Sequence, residues 1–218
     1  MKIYHIIKKS KCDTQFRTII LSTLHHLKVK NVKMKVYIAS GFFNEAVNLP
    51  RIPVSEFTDP QVSGQSLKNL LSGVDVEIFG AYNHKNDLIL FAQRLKNAGA
   101  NVKAFYKNKF HTKMFVIEVE KKAIFEIIGS SNMTIPAYEG LRHGKVNKFT
   151  SYNSESDLVL FDEFIIDTNI QINENVMQLK YDEQGNGNIT IQDRMDDALK
   201  QFDIIKNSGM TDITKELK

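Results

Sequence analysis

Residues 110–132 read FHTKMFVIEVEKKAIFEIIGSSN, and the rest of the chain is organised around this stretch. It places His111 and Lys113 two residues apart, at the start of an alternating run that predicts a β-strand. A turn at Lys121-Lys122 and a returning strand over 123–128 complete a predicted β-hairpin. Because strand side chains alternate between faces, the His and the Lys are expected to lie side by side at the rim of a sheet.

A small polar turn, Gly129-Ser130-Ser131-Asn132, follows the returning strand. The hairpin returns this turn to the start of the first strand, so Ser130 and Asn132 are expected to converge with His111 and Lys113. Small residues at such a turn expose backbone N–H groups and hydroxyls that bind anions. A neutral imidazole can attack phosphorus while lysine and asparagine hold the nonbridging oxygens. The stretch therefore predicts a site that cleaves a phosphate ester.

Hydrophobic periodicity elsewhere predicts strands that alternate with helices. Strands are expected at 34–39, 74–79 and 102–106, and helices at 13–29, 66–71, 87–96 and 193–205. This order predicts an α/β fold, a mixed β-sheet of about six to eight strands sandwiched by helices. We expect one domain over 1–218, with a core at about 34–162 and a C-terminal hairpin and helix at about 175–210.

The charge is divided unevenly along the chain. The net charge is only +4, yet residues 1–153 contain 23 Lys and Arg against 11 Asp and Glu, and residues 154–218 contain 6 against 14. A basic first part favours a polyanionic partner, although solvated surface lysines would give the same count. The single cysteine, Cys12, and the absence of a long apolar run favour a cytoplasmic protein that neither enters a membrane nor forms an internal disulfide.

The two motifs His111-Thr112-Lys113 and Gly129-Ser130-Ser131-Asn132 resemble those of the phospholipase D superfamily. That superfamily carries His-x-Lys, an acid five positions after the Lys, and a downstream Gly-Ser-x-Asn. The resemblance implies the phospholipase D-like fold and a phosphohistidine intermediate at His111. It also implies a positive field from Lys113 and Asn132 and a hydrogen bond from Ser130, with no metal or cofactor.

Two departures from the pattern concern the supporting acid and the hairpin length. The acid is Glu118 where the family has Asp, and it is expected to support structure more than bond cleavage. Ten residues separate Glu118 from Gly129, more than the family usually has. We expect the extra residues to lengthen both strands evenly, which would keep each side chain on its face.

The resemblance extends to Asn153-Ser154-Glu155, which is similar to an Asn-x-Glu in bacterial nucleases of the superfamily. It implies that Glu155 holds the imidazole in the correct tautomer; the alternative is a surface residue at a strand edge. Neither His26-Leu27-Lys28 nor His143-Gly144-Lys145 is followed by a Gly-Ser-x-Asn. The resemblance implies that members with a single complete motif form homodimers whose two subunits share one active site. This chain is therefore expected to form a homodimer.

Nucleic acid, and DNA before RNA, is the expected substrate. The excess of Lys and Arg in residues 1–153 favours a nucleic-acid substrate. The run from Ile38 to Phe43, IASGFF, is similar to the catalytic domains of restriction endonucleases of this superfamily, which favours DNA. Lys109 and the loop at 135–152, with Arg142, Lys145 and Lys148, are expected to grip the substrate. The protein would then be a metal-independent endonuclease, nonspecific or directed by a separate specificity subunit, in a restriction or defence system.

Three alternatives stay open. One is a phospholipid-cleaving enzyme of the same superfamily, and another is an inactive nucleic-acid-binding subunit. The third concerns residues 182–193, DEQGNGNITIQD, which resemble a calcium-binding EF-hand loop. Only two carboxylates occupy its ligand positions, and the alternating flanks at 176–181 and 188–192 favour a hairpin turn instead.

Overall fold

The structure is a computed structural model, and it describes residues 2–7, 15–43, 53–80, 84–134, 156–162, 176–179 and 190–218. The strands are β1 (Lys2–Ile7), β2 (Lys35–Ser40), β3 (Thr58–Asp59), β4 (Gln65–Ser66), β5 (Asp75–Gly80), β6 (Asn101–Tyr106), β7 (Met114–Val119), β8 (Lys122–Gly129), β9 (Ser156–Phe161), β10 (Val176–Leu179) and β11 (Thr211–Asp212). The helices are α1 (Gln15–Val29), α2 (Leu67–Leu70), α3 (Lys85–Asn97) and α4 (Ile191–Asn207).

Nine strands form one mixed sheet in the order β10-β1-β9-β8-β7-β2-β5-β6-β11. Strands β2, β5 and β6 are parallel neighbours, because a helical segment separates each from the next along the chain. The pairs from β2 across β7, β8, β9 and β1 to β10 are all antiparallel. The carboxyl ends of β2, β5, β6 and β8 therefore lie at the same edge as the amino ends of β7 and β9.

Helices cover both faces of the sheet. The apolar stripe of α1 and the buried side of α3 pack against one face of the sheet. Together they form a single core, which includes Ile20, Leu24 and Phe91. On the opposite face α4 buries Met195 and Phe202 in a second core. The α/β fold with a mixed sheet sandwiched by helices is confirmed.

The sheet has more strands than the six to eight expected. Strand β1 was not predicted, although KIYHII alternates between half-buried and buried side chains as it runs between β9 and β10. Strand β11 has two residues, too few for any periodicity to show, and exists through its pairing with β6. None of the helices in the described ranges has the length and hydropathy needed to cross a bilayer.

The hairpin of β7 and β8 differs from prediction at its turn. The turn residues are Glu120 and Lys121, both with positive φ (50° and 66°), so the turn lies one residue earlier than expected. A β-bulge shifts the register between Ile117 and Glu118. The extra length is therefore not taken up evenly, because the bulge adds a residue to β8 alone.

The alternating segment 188–192, expected as the second arm of the C-terminal hairpin, is helical at Ile191 and Gln192. The first arm is present as β10, but β10 pairs with β1. Thr190 caps α4 instead of belonging to a strand: its Oγ1 accepts a hydrogen bond from the Asp193 N–H, and its own N–H donates to Asp193 Oδ2. This capping box starts the helix at Ile191 and overrides the alternation of NITIQ. The predicted turn and most of the EF-hand-like segment lie outside the described residues.

Candidate active site

The candidate site lies at the edge where β2 and β8 end and β7 begins. The carboxyl ends of parallel strands are where α/β sheets bind ligands. The expected strand from His111 is wrong at its start, because β7 begins at Met114 and residues 111–113 precede it. The hairpin still closes as predicted, since the Gly129 N–H donates to the Lys113 carbonyl at 3.5 Å.

His111 and Lys113 contact each other directly. The Lys113 ammonium donates to His111 Nδ1 at 2.7 Å and to the His111 carbonyl at 2.8 Å. An ammonium has only donors, so Nδ1 must accept, which a neutral imidazole can do. His111 is exposed and Lys113 half-buried, so a basic nitrogen and a cation lie together at a surface that solvent reaches.

Asn132 joins this pair across Gly41. A Cβ on Gly41 would lie 3.3 Å from Asn132 Oδ1 and 3.4 Å from His111 Cδ2, so a side chain there would touch the imidazole and press on the Asn132 amide. The Phe42 N–H donates to Asn132 Oδ1 at 3.2 Å. Because a backbone N–H requires an acceptor, the amide oxygen is fixed there and the NH₂ group remains to donate to a substrate.

Ser40, at the end of β2, connects these residues to the core. It is fully buried, and its hydroxyl donates to the Phe42 carbonyl at 2.6 Å while accepting from the Met133 N–H at 3.0 Å. It thereby ties the end of β2 to the Gly-Ser-Ser-Asn turn. A turn at Ser40-Gly41-Phe42-Phe43 that presents backbone near a site is predicted from the IASGFF run, but the hydrogen bonds of the Ser40 hydroxyl and the close approach at Gly41 were not.

Asp157 supports the same turn from β9. Its carboxylate is buried and accepts from the Ser131 N–H at 3.1 Å and from the Ser131 hydroxyl at 2.5 Å. A Cβ on Gly129 would overlap Asp157 and the Ser156 carbonyl, so glycine is required where β8 meets β9. Asp157 was not predicted; the one signal was an acid at the start of a strand whose later residues, 158–161, are all apolar.

Of the remaining predicted site residues, some lie within the described ranges and the others lie outside them. Ser130 is exposed and its hydroxyl accepts from the Ser156 N–H at 2.9 Å, whereas Glu118 accepts from the Tyr37 hydroxyl at 2.6 Å, which ties β7 to β2. Lys109 is exposed in the turn before His111, with φ of 62°. The other predicted residues, Glu155, Arg142, Lys145 and Lys148, lie outside the described residues. Within the described ranges, no three His, Cys, Asp or Glu side chains are close enough to share a metal ion.

Two of the comparisons with known proteins found nothing: no family model matches the chain, and no curated protein matches it by sequence. Solved structures do match. NucT from Helicobacter pylori has a TM-score of 0.40 and 17% identity over 75% of this chain and 89% of NucT. Yeast tyrosyl-DNA phosphodiesterase has a TM-score of 0.39 and 10% identity over 73% of this chain and 46% of that one.

A third match is phosphatidylserine synthase from Haemophilus influenzae Rd KW20, with a TM-score of 0.41 and 14% identity over 94% of this chain and 46% of that one. The chain thus spans less than half the length of the phosphodiesterase and of the synthase. Each of these TM-scores is below 0.5, so the functional proposal is drawn from this chain's own residues.

Proposed function

We propose that this chain is a phosphodiesterase of the phospholipase D type that hydrolyses nucleic acid, DNA before RNA, through a phosphohistidine at His111. The observation that carries the proposal is the cluster of His111, Lys113 and Asn132 around Gly41. It supplies a nucleophile in contact with a cation, and an amide that lies with the imidazole against Gly41. The basic first 153 residues favour a polyanionic substrate.

In the first step a ring nitrogen of His111 attacks phosphorus. The P–N bond forms as the P–O bond to the leaving group breaks, and Lys113 and Asn132 stabilise the charge on the nonbridging oxygens. In the structure, Lys113 donates to Nδ1 of His111, so the ammonium must turn from the imidazole to the phosphate when substrate binds. If Nε2 is the nitrogen that attacks, it must carry no proton, and the ring proton must be on Nδ1. Glu155 is the proposed acceptor for the Nδ1–H group.

In the second step water attacks the phosphohistidine and releases the imidazole. The oxygen that leaves in the first step needs a proton, and we assign its donor to the His111 of a second copy of the chain. The supporting observation is that the described residues contain a single His-x-Lys next to a Gly-Ser-x-Asn turn. A solution mass near twice 24.9 kDa would support this homodimer, and a monomeric active enzyme would contradict it.

The substrate grip and the biological setting complete the proposal. Lys109, Arg142, Lys145 and Lys148 are proposed to hold the phosphates that flank the scissile one. The similarity of IASGFF to catalytic domains of restriction endonucleases favours a role in restriction or defence, with a separate subunit that directs the cut. Calcium at residues 182–193 is not part of the proposal, since the Asp193 carboxylate accepts hydrogen bonds from Thr190.

Plasmid DNA in excess EDTA tests the proposal. We expect the wild-type protein to cleave it and His111→Ala to lose at least about 1,000-fold in rate, since a missing nucleophile leaves only residual catalysis. Lys122→Ala, at the far end of the hairpin, is the matched control and should cleave normally. Cleavage that requires added magnesium, or that persists in His111→Ala, would overturn the mechanism. Activity on phosphatidylcholine vesicles alone would replace nucleic acid with lipid as substrate.

A further inference from the structure

Two adjacent phenylalanines after β2 have different surroundings. Phe43 is 1% exposed and packs in the core, with its ring centroid 4.8 Å from that of Phe91. Phe42 is only half-buried and lies at the site edge, with its ring centroid 6.5 Å from that of His111 and the two rings at 88°. Core packing therefore accounts for Phe43 but not for an aromatic ring at position 42.

Phe42 is held by the same atoms that hold the site. Its N–H donates to Asn132 Oδ1 at 3.2 Å, and its carbonyl accepts from the Ser40 hydroxyl at 2.6 Å. Both of these partners are fixed relative to His111, Asn132 across Gly41 and Ser40 from the core. The backbone of Phe42 is thereby held in place relative to the nucleophile, and its ring projects from that anchored position.

His84 extends the aromatic surface away from His111. Its ring centroid is 4.9 Å from that of Phe42 at an interplanar angle of 53°. His84 lies just before α3, its side chain is 45% exposed, and its Nδ1 is 3.6 Å from Asp87 Oδ2. His111, Phe42 and His84 thus follow one another along the sheet edge as a row of rings.

We propose that Phe42, flanked by His84, stacks on the base of the nucleotide whose phosphate His111 attacks. This inference rests on the proposed function and adds a specificity-determining contact to it. Aromatic side chains at such positions bind unpaired bases by their π-faces, with little sequence preference. A base within a duplex is already stacked on both sides, so the enzyme acts on single-stranded or locally unpaired nucleic acid.

Two small substrates with the same leaving group isolate the base contact. Thymidine 5′-(p-nitrophenyl phosphate) carries a base, and methyl p-nitrophenyl phosphate does not, so the ratio of their kcat/KM values measures what the base contributes. We expect Phe42→Leu, which keeps an apolar side chain without a flat ring, to lower this ratio roughly 10- to 100-fold, the range for losing one base–aromatic stack. Phe42→Tyr retains a ring and should keep the wild-type ratio.

The outcomes separate this inference from the function on which it rests. An equal loss of kcat/KM on both substrates in Phe42→Leu would mean that Phe42 only supports the site, and unchanged kcat/KM values on both substrates would mean that the base lies elsewhere. Either result overturns the base contact while the hydrolysis itself stands. A wild-type protein that cleaves neither ester, nor single-stranded DNA, would overturn both. Faster cleavage of duplex than of single-stranded DNA would contradict the unpaired base.

Discussion

At the scale of single residues, the groups proposed to react depend on neighbours to which no chemistry is assigned. The Phe42 N–H donates to the Asn132 amide oxygen, which leaves the NH₂ group to donate, and Gly41 leaves the space that Asn132 and the His111 ring both approach. Asp157 holds Ser131, the residue next to Asn132, through two hydrogen bonds. The precision of the site thus comes from buried polar groups with satisfied hydrogen bonds.

The residues proposed to react could be predicted from the sequence, and the residues that support them could not, for a physical reason. His111, Lys113 and Asn132 belong to motifs at fixed local spacing. Gly41 and Asp157 matter through contacts made when β2 and β9 come to lie on either side of the hairpin, and no local spacing encodes those contacts. The catalytic roles of His111, Lys113, Ser130, Asn132 and Glu155 stay predictions.

Glu126 gives a pH dependence at the residue scale. It is 5% exposed in the middle of β8, opposite Val116 and Leu160, and burial raises its pKa from 4.5 to about 7. Between these values the folded protein binds more protons than the unfolded chain, so the free energy of unfolding falls as pH rises. The loss approaches about 3 kcal/mol above pH 7.

Glu126→Gln removes this titration. We expect the variant to be more stable than the wild type at pH 8 by up to about 3 kcal/mol, with little difference at pH 5, where the wild-type side chain is neutral too. Urea unfolding at the two pH values measures both differences. A stability difference that is the same at pH 5 and pH 8 would contradict the raised pKa.

At the scale of elements, the hairpin was predictable in outline and not in its turn. Alternating apolar residues on both sides of Lys121 predict two strands. The position of the turn between them is not predicted, because no Asn-Gly or Asp-Gly pair marks it. Glu120 and Lys121 both adopt positive φ, which costs free energy for residues with a Cβ. The pairing of β7 with β8 and the burial of both strands impose this turn against local preference.

The double variant Glu120→Asn with Lys121→Gly should relieve that cost. Asparagine and glycine adopt the left-handed region more readily, so we expect the free energy of unfolding to rise by about 1 kcal/mol. Urea or thermal unfolding measures the change, and Lys121→Pro, which cannot adopt φ of 66°, is the opposite control. A double variant less stable than the wild type would show that the turn residues make other contacts that matter more.

At the scale of the whole molecule, the architecture keeps one edge of the sheet for the site. Helices α1 and α3 cover one face and α4 covers part of the other, so both faces are used for packing. The α/β class and the helices on both faces followed from the order of periodic segments. The number of strands, nine, did not follow from that order, because β1 and β11 form through pairing with neighbouring strands more than through a pattern in their own sequence.

The central claim is that His111 forms a covalent bond to phosphorus, and trapping that bond tests it most directly. Single-stranded DNA is mixed with the protein in EDTA, the reaction is quenched in alkali, which preserves phosphohistidine, and the peptide that contains His111 is weighed by mass spectrometry. We expect a nucleotide adduct on His111 in the wild type and none in His111→Ala. DNA turnover with no adduct on the wild-type peptide, or an adduct that survives in His111→Ala, would contradict it.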